Sequence, residues 1–318
     1  MNKRHLPPTK PNSGEKGLLE RAAEIFDFQS ALKGKGLPPV DVPAGEMPAV
    51  PVESVGAPAG GAPAPVIRRA RDWTGPIQPL DRAAMAERGF LVPGGAVTGL
   101  AEEFRIIKRE LLSAMRGERD GKPVPNGNVI LVTSAHPGDG KSWCAINLAI
   151  SLAAEGDVEV LLVDADFAQP TIPQTLGLND ERGLMDVLAD SSLEAADCVI
   201  RTDVPALSVL AAGQGSTRDT EYLASARADE VIASLVAGRP DRVVIFDSPP
   251  LLAASAASVL AGHVGQTVLV VRADRTTETA LRDAADLLKG CANIRLLLNG
   301  VKFSASGRRF GAYYGGKG

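Results

Sequence analysis

Aromatic residues are scarce, only 4% of the chain, so a core here has to be built from aliphatic side chains. Cysteine is scarce too: Cys144, Cys198 and Cys291 stand apart, with no CxxC spacing. That excludes a disulfide framework and a cysteine zinc site, and it fits a reducing compartment. The three histidines, His5, His136 and His263, are too scattered to suggest a metal cluster. An excess of positive charge is missing as well. The 34 Lys and Arg against 38 Asp and Glu leave a formal charge of −4, so nothing in the overall field points to nucleic acid. No apolar run is long enough to span a bilayer; the longest weakly polar stretch, 251–262, is short and contains Ser255 and Ser258. The basic first residues run into prolines instead of an apolar core, so no signal peptide is read there. These absences together predict a cytoplasmic protein with no direct membrane span, recruited to the inner face of a membrane only through a partner.

The 318 residues suffice for one large domain with attachments. Residues 34–79 hold ten prolines and seven glycines, a composition that reads as a disordered linker, which we extend to residue 97. Ahead of it, Leu18, Ala22, Ile25, Phe28 and Leu32 recur at helical spacing, and Gly34 can end that helix. Two readings of this N-terminal segment (1–33) stay open: a docking helix for a protein or membrane surface, or a helix folded back on its own domain. After the linker, Leu100, Phe104, Ile107 and Leu111 form a second helical stripe, with Thr98 as its N-cap.

From Asn128 the pattern changes. Apolar runs at 129–134, 158–166, 206–213, 242–250, 266–274 and 294–300 alternate with helix-like stretches. Continuous Val/Leu/Ile strands joined by helices predict an α/β fold, a parallel sheet with helices on both faces and reactive groups at the carboxyl ends of its strands. We bound this domain at 98–303, followed by a tail, 304–318.

The strand at 129–134 ends in SAHPGDGKS, which fits GxxxxGK[ST] except that Ala135 replaces the first glycine. Pro137, Gly138, Asp139 and Gly140 form a loop whose backbone N–H groups can curl around phosphate oxygens, and the helix opening at Lys141, Ser142 and Trp143 adds its positive end. Lys141 can reach β- and γ-phosphates, and Ser142 can ligate Mg²⁺. VLLVDAD places Asp164 and Asp166 behind a second strand, and VVIFDSPP places Asp247 behind a third. A carboxylate there can hold Mg²⁺ or accept a hydroxyl proton. The set predicts a Mg²⁺–ATP site of the P-loop NTPase type. HRD and DFG motifs are absent, so any kinase chemistry has to be built on the P-loop.

With SAHPGDGKS, VLLVDADFAQP and VVIFDSPPLL together, residues 98–318 resemble the bacterial tyrosine kinases of polysaccharide synthesis and export. The free-standing form, with LLERAAEIF ahead of a linker, is most similar to their exosortase-associated type. The resemblance implies Walker A, A′ and B motifs with Lys141, Asp164 and Asp166 as catalytic groups, and Ser142, Asp164 and Asp247 around the metal. It also implies an adenine contact at Asn299 and a ring-forming surface at Glu102, Arg105 and Lys108 on the helix carrying the 100–111 stripe. The expected activity is ATP-dependent autophosphorylation between subunits on Tyr313 and Tyr314, with a membrane-embedded chain-length regulator as activating partner. The tail's own composition, glycine-rich and basic, predicts a mobile, solvated segment, and alone it leaves open a frayed terminus or an arm that enters another subunit's site; beside the P-loop set we take the second. Tyr222, inside a helix-like stretch, reads as packed. Three features depart from the family pattern: Ala168 and Gln169 follow the A′ aspartates where basic residues are usual, the tail cluster has only Tyr313 and Tyr314, and Lys108 replaces an arginine. Two alternatives stay open. One is a partitioning or positioning ATPase switch of the same superfamily, against which His136 in place of a signature lysine counts. The other is a nucleotide-binding scaffold without useful turnover.

Overall fold

The structure, a computed structural model, describes residues 72–118 and 121–301. The expected N-terminal helix, the linker as far as residue 71, and the tail with Tyr313 and Tyr314 lie outside the described residues.

Eight strands form one sheet: β1 (Ile77–Gln78), β2 (Val129–Ser134), β3 (Glu159–Asp164), β4 (Ile200–Thr202), β5 (Leu207–Leu210), β6 (Arg242–Asp247), β7 (Gln266–Arg272) and β8 (Ile294–Asn299). Their spatial order is β1-β4-β5-β3-β6-β2-β7-β8. All six strands expected from the apolar runs are present. The exception to parallel pairing is β4 against β5, which is antiparallel. Only residues 203–206 separate those two strands, too few for a crossover connection.

Alternate residues of each central strand feed separate cores, as a pleat with period two requires. Leu131, Leu161, Val163, Val244, Phe246 and Leu269 pack on one face; Ile130, Val160, Leu162, Val243, Ile245 and Val268 pack on the other. The second face is covered by α1 (Arg82–Glu87), α2 (Gly99–Arg116), α3 (Lys141–Ala153) and α4 (Ile172–Leu176). The first carries α5 (Leu184–Ala189), α6 (Ala195–Cys198), α7 (Asp219–Leu223), α8 (Ala226–Val236), α9 (Ala256–Leu260) and α10 (Glu278–Leu287). Most of these strand side chains are fully buried, each worth roughly 1.5–3 kcal/mol of transfer free energy. The helix α2 begins as expected: Thr98 Oγ accepts from the Ala101 N–H at 3.2 Å, and Gly117, at φ 71°, closes the other end.

The 34–97 linker needs correction at its carboxyl end. Gln78 and Ile77 pair with Thr202 and Arg201, making β1 a sheet edge. Asp81 caps α1, accepting from the Ala84 N–H at 3.0 Å, and Met85 is fully buried. Farther on, the Leu91 N–H donates to Asn147 Oδ1 at 2.7 Å. At the amino end of the segment, the Trp73 ring lies 3.9 Å beneath the guanidinium of Arg242, a fully buried arginine that also bonds Glu159 and the Leu235 carbonyl. A few widely spaced apolar anchors hold this segment, and an average over its Pro/Gly composition hides them.

Candidate active site

The P-loop crosses from the end of β2 to the start of α3. Gly138 and Gly140 have φ of 79° and 98°, the left-handed region that lets successive N–H groups turn toward one point. Gly140 is also the N-cap of α3 and offers no side-chain acceptor, so the first amides of the helix stay available for an anion. Ala135, in place of the first motif glycine, is 1% exposed and belongs to the core, which explains why a methyl group is accommodated.

The loop is braced from outside. Asp139 is fully buried, and its Oδ2 accepts from the His136 N–H (3.1 Å) and the Thr276 hydroxyl (3.2 Å). Its carbonyl accepts from Asn299 Nδ2 at 2.9 Å. The side chain of Asp139 therefore shapes the loop, and what it can offer a phosphate is its backbone. Arg275, which sequence reasoning missed, donates to the Pro137 carbonyl at 3.3 Å. Its nearness to the loop follows only from β7 lying beside β2.

Three carboxylates gather under Lys141. The Lys141 ammonium sits 2.7 Å from Asp166 Oδ2, 3.2 Å from Ser142 Oγ and 3.8 Å from Asp247 Oδ1. Burial works against the Lys141 charge, but Asp247, Asp166 and Asp164 outweigh it and raise its pKa above the ordinary lysine value. Asp164 and Asp247 are register partners on adjacent strands, which is why acids at two separate strand ends meet. Asp164 Oδ1 accepts from the Asp166 N–H at 3.2 Å, and its Oδ2 from the N–H groups of Thr171 (2.9 Å) and Ile172 (3.0 Å). Burial raises its pKa, against those three donors. Asp247 has no such support: it is fully buried, and neither carboxylate oxygen has a hydrogen-bond partner. Burial pushes its pKa up to about 7 in spite of Lys141. Two orphaned buried oxygens beside a phosphate cradle are the donor set a hard cation takes, so the residues present fit Mg²⁺.

A cleft of about 310 Å³ opens over these groups, lined among others by Gly138, Lys141, Ser142 and Asp166. Ala168 and Gln169, the departures from the A′ pattern, line it too. Trp143 borders the cleft and packs against Phe90 (ring centroids 6.3 Å apart) and Phe104 (5.8 Å, edge-on).

The three residues expected to form a subunit contact separate. Glu102 and Arg105 pair with each other at 2.6 Å on a partly exposed face of α2. Lys108 is only 6% exposed; it donates to the Ser151 carbonyl at 2.8 Å and pairs with Glu155 at 2.5 Å. Its expected place in a subunit contact is corrected, because that ammonium is already used within the chain to hold α2 against the end of α3.

A mostly parallel sheet with this loop after a central strand and acids at the adjoining strand ends defines a P-loop NTPase, hence a nucleotide-binding protein. A ParA model, described as an NUBPL iron-transfer P-loop NTPase, matches residues 126–209. The chain is 36% identical over 191 residues to tyrosine-protein kinase YwqD of Bacillus subtilis, covering 59% of this chain and 78% of that protein. It is 32% identical over 222 residues to a putative tyrosine-protein kinase EpsB of Ralstonia nicotianae, covering 67% of this chain but only 28% of that much longer protein. The solved kinase domain of Escherichia coli tyrosine kinase ETK superposes with a TM-score of 0.55 at 25% identity, over 66% of this chain and 80% of that one. The chain belongs to the bacterial tyrosine-protein kinase family.

Proposed function

We propose that the chain is an ATP-dependent protein-tyrosine autokinase of polysaccharide synthesis and export, which phosphorylates Tyr313 and Tyr314 of a neighbouring copy. The observation that carries this reading is Lys141 held against Asp166 at 2.7 Å and 3.8 Å from the buried carboxylate of Asp247, at the mouth of a P-loop in a chain of this family. Lys141 and the amides opening α3 bind and neutralise the terminal phosphates of ATP. Ser142 and Asp247 would hold Mg²⁺, with Asp164 linked to it, and the ion would supply charge neutralisation on the phosphates. The tyrosine oxygen attacks the γ-phosphorus, the bond to the ADP oxygen breaks, and the phenolic proton passes to Asp164. Asp166 keeps Lys141 charged and aimed.

Glu102 and Arg105 supply the exposed charges for assembly with other copies, and a membrane-embedded chain-length regulator is the activating partner. No helix among the described residues is long and apolar enough to cross a membrane. We place the chain in the cytoplasm, brought to the membrane by that partner. Asn299 lies at the loop, where it can meet the adenine edge while bracing Asp139.

The test is intact-mass analysis of the purified chain before and after phosphatase. Additions of about 80 Da per phosphoryl group, removed by phosphatase and mapped to Tyr313 and Tyr314, are the expected result. An unmodified mass after incubation with Mg²⁺–ATP overturns the kinase reading. It would favour the second reading, a nucleotide-dependent switch ATPase, which the ParA match over 126–209 keeps in view.

A further inference from the structure

Among the described residues β8 is the last strand of the sheet, and its outer edge pairs with nothing. Together with α2 it borders a groove of about 640 Å³, twice the size of the P-loop cleft. Ile106, Leu296, Leu298 and Val301 line it and are each about half exposed, at 48%, 47%, 51% and 48%. They are half of the exposed large apolar side chains among the described residues, brought to one place. Scattered apolar side chains need no explanation, but a contiguous patch along an open strand is an association hazard unless something covers it.

We propose that the groove is covered in cis by the chain's own residues 302–318, with Phe303 as the first anchor. The described chain leaves at Val301, which is itself a wall of the groove. Along α2 the groove runs from Leu100 to Glu110, about 15 Å at the helical rise. An extended chain covers that distance in about five residues, so the segment starting at Lys302 spans it with length to spare. The chemistry matches at both ends. Residues 302–318 carry Lys302, Arg308, Arg309 and Lys317 and no acid, while Glu103 stands on the α2 rim and Glu110 there is paired with Arg295 at 3.7 Å. In a chain so poor in aromatics, this short segment holds Phe303 and Phe310, the apolar bulk that an apolar groove takes, and leaves Tyr313 and Tyr314 beyond them. A second copy would need two such edges to meet, whereas the tethered segment is always present at high effective concentration. The inference holds whether or not the tyrosines accept phosphate.

The test uses the full chain with Phe303→Asp/Phe310→Asp, substitutions outside the described fold. Amide hydrogen exchange is followed over 295–301, and binding of a fluorescent peptide of residues 302–318 is read by anisotropy. In the double variant, exchange over 295–301 is expected to be at least tenfold faster than in wild type. The peptide is expected to bind that variant at least tenfold more tightly than wild type, because the cis segment no longer competes. Adding Leu298→Glu, or Ile106→Glu should the first variant unfold, is expected to abolish peptide binding. Equal exchange in the two proteins overturns the proposal. So does peptide binding indifferent to both groove substitutions. Protection of 295–301 that survives the double substitution and rises with protein concentration also overturns it, and assigns the groove to a second copy.

Discussion

Asn299, at the end of β8, donates its side-chain amide to the carbonyl of Asp139 in the P-loop, 2.9 Å away and 160 residues earlier in the chain. The same amide stands where a Cβ on Gly140 would go. Gly140 also has a φ of 98°, a conformation that costs an L-residue roughly 1–2 kcal/mol. Gly140→Ala is therefore expected to weaken ATP binding at least tenfold while leaving the sheet intact. Titration calorimetry with ATP, alongside far-UV circular dichroism, reads both. Unchanged affinity would mean that the loop relaxes without loss.

Ionising Asp247 works against its surroundings, and its pH dependence follows. Its folded pKa, raised to about 7, lies above its unfolded value of 3.8. Between those values the folded chain binds more protons than the unfolded one, so this group's contribution to stability falls as pH rises through the window. The full cost above pH 7 is about 4 kcal/mol at most. Asp247→Asn is expected to raise the unfolding temperature of the nucleotide-free chain at pH 8 and flatten its decline between pH 5 and 8. The same variant is expected to lose the stabilisation wild type gains from Mg²⁺–ATP. Melts with and without Mg²⁺–ATP across that range check both effects, and a variant less stable than wild type at pH 8 would contradict them.

Lys141→Ala removes the cation that three carboxylates share. Phosphotyrosine is expected to disappear while the fold survives, since the side chain contributes little apolar packing. Without the ammonium, Asp164, Asp166 and Asp247 repel one another, so stability should fall more steeply with rising pH than in wild type. Anti-phosphotyrosine blots and pH-dependent melts are the readouts. Retained phosphorylation would remove Lys141 from the mechanism.

On α2, charges three residues apart part company. Glu102→Ala/Arg105→Ala is expected to reduce self-association, measured by light scattering, with little change in stability, because their mutual ion pair is partly exposed. Lys108→Ala is expected to destabilise the folded chain by about 2–3 kcal/mol, since it strips a buried carbonyl and Glu155 of their partner. Equal stability of both variants would refute the division.

Much of this was legible beforehand. Strands such as 129–134 and 242–247 announce themselves because burial on both faces leaves no polar alternation to confuse with a helix. The loop and the acids of the site sit at strand ends, so the motif and the topology coincide. What escaped is what depends on register or on sparse anchors. Nothing local tells that Thr276 and Asn299 brace Asp139, since those contacts arise from the neighbouring strands β7 and β8. Lys108 reads as one more surface charge until α2 is placed against the end of α3. Ile200–Thr202 is too short to show a period, and Trp73, Met85 and Leu91 are too far apart to outweigh the prolines around them.

The pairing of Ile77 with Arg201 sets an order of events during synthesis. The first strand of the sheet leaves the ribosome with no partner, and its register mate is made 124 residues later. At 5–20 residues per second, that is a wait of roughly 6–25 s. In that interval β1 has no strand to pair with, although its neighbours can already reach Asn147, Leu176 and Asn179. The segment that comes first along the chain therefore closes the sheet late, after β3 and β5 have given β4 an edge to rest on. A ribosome stalled shortly before residue 200 would present this arm held only by its contacts to Asn147, Leu176 and Asn179, with β1 still without a sheet partner, and a chaperone or protease that acts on nascent chains would meet it in that state.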